Sequence, residues 1–231
     1  MRVGSRPLVA HAVSGLVAAG VGAVVVVAPA ERLDEVRASL AQVMSDGEAR
    51  PGPEPDGTVA RGAVSDGEGA GPVRPWVRVV AGGESRQASV AAGLGVLPEA
   101  AVVLVHDAAR CFAPPAMIRR VVDAVRAGRA AVIPALPVAD SLVVAPGDAV
   151  EDYVDRARLR VVQTPQGFAR DVLERAHAAA PPAHESTAAT DDASLAAAIG
   201  ETVWTVPGDD AAMKITTPRD LAVVDALFGA R

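Results

Sequence analysis

The chain has 231 residues, 50% of them hydrophobic but only 3% aromatic, so one sizeable domain with a core of Val, Ala and Leu is expected. A formal charge of -6 argues against non-specific nucleic-acid binding, which needs a basic surface. A single cysteine, Cys111, excludes an internal disulfide and suits a reducing cytoplasm.

At the N-terminus, Arg2, Arg6, the apolar run 12–30 and the tripeptide Ala28-Pro29-Ala30 have the look of a secretory signal. A helix followed by a strand accounts for them better. Pro7 suits a first helical turn, Leu8, His11, Ala12 and Leu16 keep helical spacing, and Gly20 is a natural stop, which predicts a helix over 7–19. The β-branched run "AVVVVA" predicts a strand over 23–28, buried on both faces. Glycines at 15, 20 and 22 interrupt any bilayer-spanning helix, so a soluble, cytoplasmic protein without membrane partners is expected.

Further along, the pattern predicts a helix over 31–43, a strand over 76–80, a helix over 86–95 and a strand over 101–106. A helix over 115–127, ending at Gly128, precedes a strand over 130–135; helices over 170–179 and 192–199, a strand over 202–206 and a helix over 218–228 complete the chain. This alternation predicts an α/β fold, a mostly parallel sheet with helices on both faces, which binds ligands beyond the carboxyl ends of its strands. Two segments break the rhythm. Residues 45–75, rich in Gly, Pro, Asp and Glu, read as a disordered insertion, and residues 139–168, made of short β-rich pieces, read as an arm directed toward a partner subunit.

Chemistry-bearing residues gather at the predicted strand ends. In "AGGESRQASVAAGL", 81–94, Ser85 is placed to cap a helix whose N-terminus, with Gly82, Gly83, Arg86 and Ser89 around it, suits an anion or a polar base edge; Gly-Gly after a strand is more often only a turn. In "HDAAR", 106–110, a strand-end carboxylate, Asp107, with Arg110 one turn on suits Mg²⁺ and phosphate, the alternative being a structural ion pair. Among 22 basic residues Lys214 is the sole lysine, a candidate for holding phosphate oxygens unless it is a chance surface residue. "TDDAS", 190–194, reads as a helix start with Thr190 at the N-cap. His11, His177 and His184 read as surface residues and Cys111 as packing; neither a Ser-His-Asp arrangement nor zinc-ligand spacing is present.

Taken in order, "GGESRQASVAAGL", "VLVHDAARCF", "PVADS", "VDR", "QTPQGF", "TDDAS" and "MKITTPRDL" resemble the 2-C-methyl-D-erythritol 4-phosphate cytidylyltransferase family of the non-mevalonate isoprenoid pathway. The resemblance implies a Rossmann-like nucleotidyltransferase fold over 1–231, acting with Mg²⁺ or another divalent cation as a homodimer joined through the arm. It implies attack of the methylerythritol phosphate on the α-phosphorus of CTP, with pyrophosphate leaving. By the same resemblance Gly82, Gly83, Arg86 and Ser89 recognise the nucleotide, and Asp107 sits at metal and substrate. Arg110, Ser141 and Thr164 contact the methylerythritol end. Arg156, acting across the dimer, and Lys214 hold the attacking phosphate. Ser141 stands where threonine is usual, and Val143 replaces a usual lysine.

The family pattern opens with a strand and a glycine-rich loop, A-A-G-x-G-x-R, followed by P-K, whose cations contact the CTP phosphates. This part is missing before "GSRPLVAHAV". Either the true start lies upstream of Met1, the preferred reading, or the chain is a degenerate copy; as written it is expected to lack a central strand, to be poorly stable and to be nearly inactive. The rival readings are a cytidylyltransferase for ribitol 5-phosphate or a similar polyol phosphate, and an inactive nucleotide-binding paralogue.

Overall fold

The computed structural model describes residues 1–52, 74–97, 99–180 and 191–229. A short hairpin, β1 (Arg2–Val3) and β2 (Arg6–Pro7), leads into α1 (Leu8–Ala18), β3 (Ala23–Ala28), α2 (Leu33–Ser45) and β4 (Arg50–Pro51). Then come β5 (Trp76–Ala81), α3 (Arg86–Val96), β6 (Val102–Val105), α4 (Pro115–Arg126) and β7 (Ala131–Pro137). A hairpin of β8 (Leu142–Val144) and β9 (Asp152–Val154) precedes β10 (Arg160–Val162), β11 (Gln166–Ala169), α5 (Arg170–Ala179), α6 (Asp192–Ala198), β12 (Val203–Pro207) and α7 (Pro218–Phe228).

Local chemistry explains the element ends. Pro115 opens α4 at a position where its missing N–H costs nothing, and Gly128 closes it with φ +95, a conformation that a side chain would strain. Thr217 and Asp220 form a reciprocal capping box on α7, with Pro218 in the first turn. The bonds that Asp220 accepts from Thr216 and Thr217 hold its carboxyl down at about 2.

The strands form two main ladders. In one, β5 lies between β3 and β4, all parallel. In the other the order is β10–β7–β11–β6, with β12 parallel to β7 on its far edge. The α/β expectation therefore holds, with two strands the pattern did not foresee: β10 and β11 run antiparallel to their neighbours and share one edge of β7. Among the described residues no ladder joins β3 to β6, each the last strand of its own ladder. Side chains bridge the two instead. Val13 and Leu16 of α1, Val24 of β3, Val77 of β5 and Met117 and Ile118 of α4 form one buried cluster, with Leu104 of β6 against it.

Two boundaries differ from expectation. The insertion proposed for 45–75 keeps ordered structure at its start: α2 runs to Ser45, Ala49 is buried, and Arg50–Pro51 adds to β5. Residues 53–73 lie outside the described residues. The arm proposed for 139–168 is shorter, because β10 pairs with β7, and β11, with Phe168 fully buried, inserts between β6 and β7. The projecting part is the β8–β9 hairpin, whose Leu142, Val143, Val144 and Tyr153 are exposed. No helix among the described residues is long and apolar enough to cross a membrane.

Candidate functional site

Strand β6, with Val103 buried, carries the chain directly into His106 and Asp107. The backbone N–H of Asp107 donates to Thr164 Oγ1 at 3.0 Å, and His106 Nδ1 lies 2.9 Å from the same hydroxyl. Burial pushes the His106 imidazole down to about 4, so the ring is neutral at ordinary pH. Lys214 Nζ sits 3.1 Å from Asp107 Oδ2, and Arg110 Nε 3.9 Å from the same oxygen. Three residues up to 107 positions apart in sequence thus meet around one carboxylate at a strand end.

Arg110 has a second task. Its guanidinium donates to the carbonyls of Ala212, at 2.9 Å, and Val162, at 3.2 Å, tying the segment before Lys214 to the end of β10. Burial lowers its pKa, offset in part by Asp107. Ile215 N–H donates to the Ala109 carbonyl at 2.9 Å. Gln163, which sequence reasoning passed over, completes the clamp: its Nε2 donates to the Asp209 carbonyl and its Oε1 accepts from the Asp209 N–H, both at 2.9 Å. The available signal was a glutamine directly after the apolar pair Val161-Val162.

A second feature lies beyond β3 and β5. Val27, Ala28, Pro29, Ala30 and Glu31 on one side and Gly82, Gly83, Glu84 and Ser89 on the other line an open cleft of about 430 Å³. Gly82 N–H donates to Ala28 O at 2.8 Å and Gly83 N–H to Ser89 Oγ at 3.2 Å. A Cβ on Gly82 would lie 2.6 Å from Ser89 Oγ, and one on Gly83 2.5 Å from the Ala88 Cβ, so side chains are shut out where the turn packs on the helix. Ser85 caps α3 as expected, accepting from Ala88 N–H at 3.1 Å.

Arg86, expected to recognise the nucleotide, is not among the residues lining that cleft. Its NH2 is 2.7 Å from Oδ2 of Asp192, a fully buried carboxylate, whose Oδ1 is 2.8 Å from His177 Nε2. This corrects the reading of His177 as a surface residue: α5 turns it inward, leaving its side chain 7% exposed. His11 is likewise half-buried, its ring 4.8 Å from that of Phe112, and burial lowers its pKa. The N-cap of α6 is Asp191, accepting from Ser194 N–H at 2.8 Å; the expected cap Thr190, like His184, lies outside the described residues. Cys111 packs in the interior as expected, and burial raises its thiol to about 11.

Ser141 and Arg156 stand apart. Ser141 is exposed just before β8, and Arg156 opens a 3-10 turn, Arg156–Arg158, capped by Asp155 and held by a bond from its NH1 to the Ala139 carbonyl. Among the described residues no hydrogen bond or ion pair links either one to Asp107, Arg110 or Lys214. No group of three or more His, Cys, Asp and Glu that could hold a metal ion gathers among the described residues.

Residues 61–230 match the family described as IspD, 2-C-methyl-D-erythritol 4-phosphate cytidylyltransferase. The enzyme of that name from Nocardia farcinica is 44% identical over 231 residues, spanning 99% of this chain and 84% of that protein. Its counterpart from Saccharopolyspora erythraea is 45% identical, over 98% of this chain and 88% of that protein. The crystal structure of the Thermus thermophilus enzyme superposes with a TM-score of 0.71 at 33% identity, over 98% of this chain and 90% of that one. With the nucleotidyltransferase architecture, the family's motifs and these relatives all in register, the chain belongs to the 2-C-methyl-D-erythritol 4-phosphate cytidylyltransferase family.

Proposed function

We propose that this chain transfers CMP from CTP to 2-C-methyl-D-erythritol 4-phosphate, giving 4-diphosphocytidyl-2-C-methyl-D-erythritol and pyrophosphate. A phosphate oxygen of the acceptor forms the new bond to the α-phosphorus, the bond from that phosphorus to the bridging oxygen breaks, and pyrophosphate carries the electron pair away. The chemistry asks the protein for position and charge rather than a covalent intermediate. The observation that carries the reading is the Lys214–Asp107 contact of 3.1 Å with Arg110 beside it, a cation and a carboxylate held together at a strand end.

In this reading the cleft along Gly82, Gly83 and Ser89 receives the cytidine. Lys214, the compact ammonium, draws the acceptor phosphate toward the α-phosphorus. Arg110 and Thr164 fix the strand ends around it, through Ala212, Val162 and the Asp107 N–H. Asp107 suits Mg²⁺: Oδ2 is engaged by Lys214, Oδ1 has no protein donor among the described residues, and Mg²⁺ needs few carboxylates when phosphate oxygens and water fill its shell. When bound there, the cation would share the negative charge of the phosphates. The exposed β8–β9 hairpin fits a homodimer contact that brings Arg156 to the site of a second copy, together with Ser141. The cytoplasm, where CTP is made and thiols such as Cys111 stay reduced, is the setting that matches.

Pyrophosphate release tests this directly. Release is expected with CTP and methylerythritol phosphate, and a much lower rate with UTP or with ribitol 5-phosphate as acceptor. A faster rate with ribitol 5-phosphate would reassign the acceptor, and failure to bind CTP would remove the nucleotide reading. Sedimentation of the protein with Tyr153→Asp and Val143→Asp tests the dimer, which should dissociate.

A further inference from the structure

Asp192 is fully buried on α6 and is not among the residues that line the cleft. A carboxylate so far from water must have both oxygens engaged. Oδ2 lies 2.7 Å from Arg86 Nη2, an ion pair without hydrogen-bond geometry, and Oδ1 lies 2.8 Å from His177 Nε2. To serve Oδ1, His177 carries its hydrogen on Nε2. Its Nδ1 is buried without a hydrogen-bond partner among the described residues. Arg86, whose guanidinium is always charged, supplies a fixed positive charge beside Asp192.

The acid is itself anchored. Gln166 of β11 donates to Asp191 Oδ2 at 2.8 Å and accepts from the Ala193 N–H at 3.0 Å, so the residues on either side of Asp192 are bound to the central sheet. Phe168, Leu173, Ala193 and Ala196 pack α5 and α6 onto that sheet in one cluster, which also takes in Leu94 of α3. At the other end, Arg86 is the first residue of α3, directly after the turn 82–85 that walls the cleft. Hydrogen bonds from β11 to the neighbours of Asp192, the Asp192–Arg86 ion pair and the backbone of the turn before Arg86 thus link the sheet to the cleft.

We propose that Asp192 is a positioning residue for nucleotide binding: held by His177, it pins Arg86 and thereby the shape of the turn 82–85. The proposal rests on the cleft being the CTP site. Its test is CTP titration of the full chain by calorimetry, with KM for each substrate and the thermal midpoint measured alongside. Asp192→Asn and Arg86→Gln are each expected to weaken CTP binding about tenfold, and the double variant no further, because the two act as one unit. KM for methylerythritol phosphate should stay within about twofold. His177→Gln, whose amide can still donate to Oδ1, should restore near wild-type affinity where His177→Leu loses about threefold. Unchanged CTP affinity in Asp192→Asn, or equal losses for both substrates, would overturn the proposal and leave Asp192 a purely structural acid. Should Asp192→Asn fail to fold, His177→Leu decides by the same criteria. A wild-type chain that binds no CTP would overturn the cleft reading and this inference with it, whereas CTP binding that ignores these variants would remove the inference alone.

Discussion

Two carboxylates in this protein each hold an arginine and one further nitrogen base, and they do opposite work. Asp107 sits at a strand end with Lys214 half exposed and one oxygen unclaimed by protein donors among the described residues. Asp192 sits on a helix with no exposure, one oxygen in an ion pair with Arg86 and the other hydrogen-bonded to His177. The residue types are nearly the same; solvent access separates them. A partly open carboxylate can exchange a protein cation for a metal or a substrate phosphate, whereas a sealed one can only hold what it already holds, since removing its partner strands a charge in the interior.

The sharpest break of this contrast is in stability. Asp192→Ala should cost about 3–5 kcal/mol in urea unfolding, because Arg86 and His177 both lose a buried partner, while Asp107→Ala should cost less than about 1 kcal/mol. Equal losses would erase the distinction. Activity should invert the ranking: Asp107→Asn is expected to lower CMP transfer about a hundredfold, with the thermal midpoint hardly moved. Thr164→Val sharpens the account of how Asp107 is held. It strips a buried hydroxyl that serves both the Asp107 N–H and His106, and should cost about 1–3 kcal/mol of stability.

The smallest effect is a pH slope. His106 titrates at about 4 when folded and near 6.5 when unfolded, so as pH falls the unfolded chain takes up its proton first. Its contribution is then complete above about pH 6.5 and drains away toward pH 4, with a slope of at most about 1.4 kcal/mol per pH unit. Unfolding free energy measured across that window should show the slope, and His106→Gln should flatten it.

The regular elements were legible because they are written in local terms. "AVVVVA" is a strand over 23–28 by its β-branched run alone, and the helices over 170–179 and 218–228 fall on the bounds their apolar spacing predicts. The antiparallel strands β10 and β11 were not legible, since short pieces around "QTPQGF" take their direction from neighbours far away in sequence. His177 was misread for the same reason. Its own helix offers no partner, and the acid that draws it inward lies 15 residues on, across a segment with no periodic signal. Asp107, Arg110, Lys214 and the glycines of the cleft could be singled out because strand-end chemistry and the family's motifs are contiguous in sequence, and the structure brings the first three together. The roles of Gln163 and Asp192 are distributed over several segments, and each segment taken alone looks ordinary.

By itself, the sequence determined which stretches become helices and strands, which faces are apolar, and that strand ends carry a carboxylate, an arginine and a solitary lysine, because these depend on residues close together along the chain. Tertiary structure alone decided which of two similar acids is open and which is sealed, that Arg110 and Gln163 tie distant segments beneath Lys214, and that Arg86 turns to Asp192. Burial and partnership are properties of distances through space, and those exist only once the chain has closed on itself.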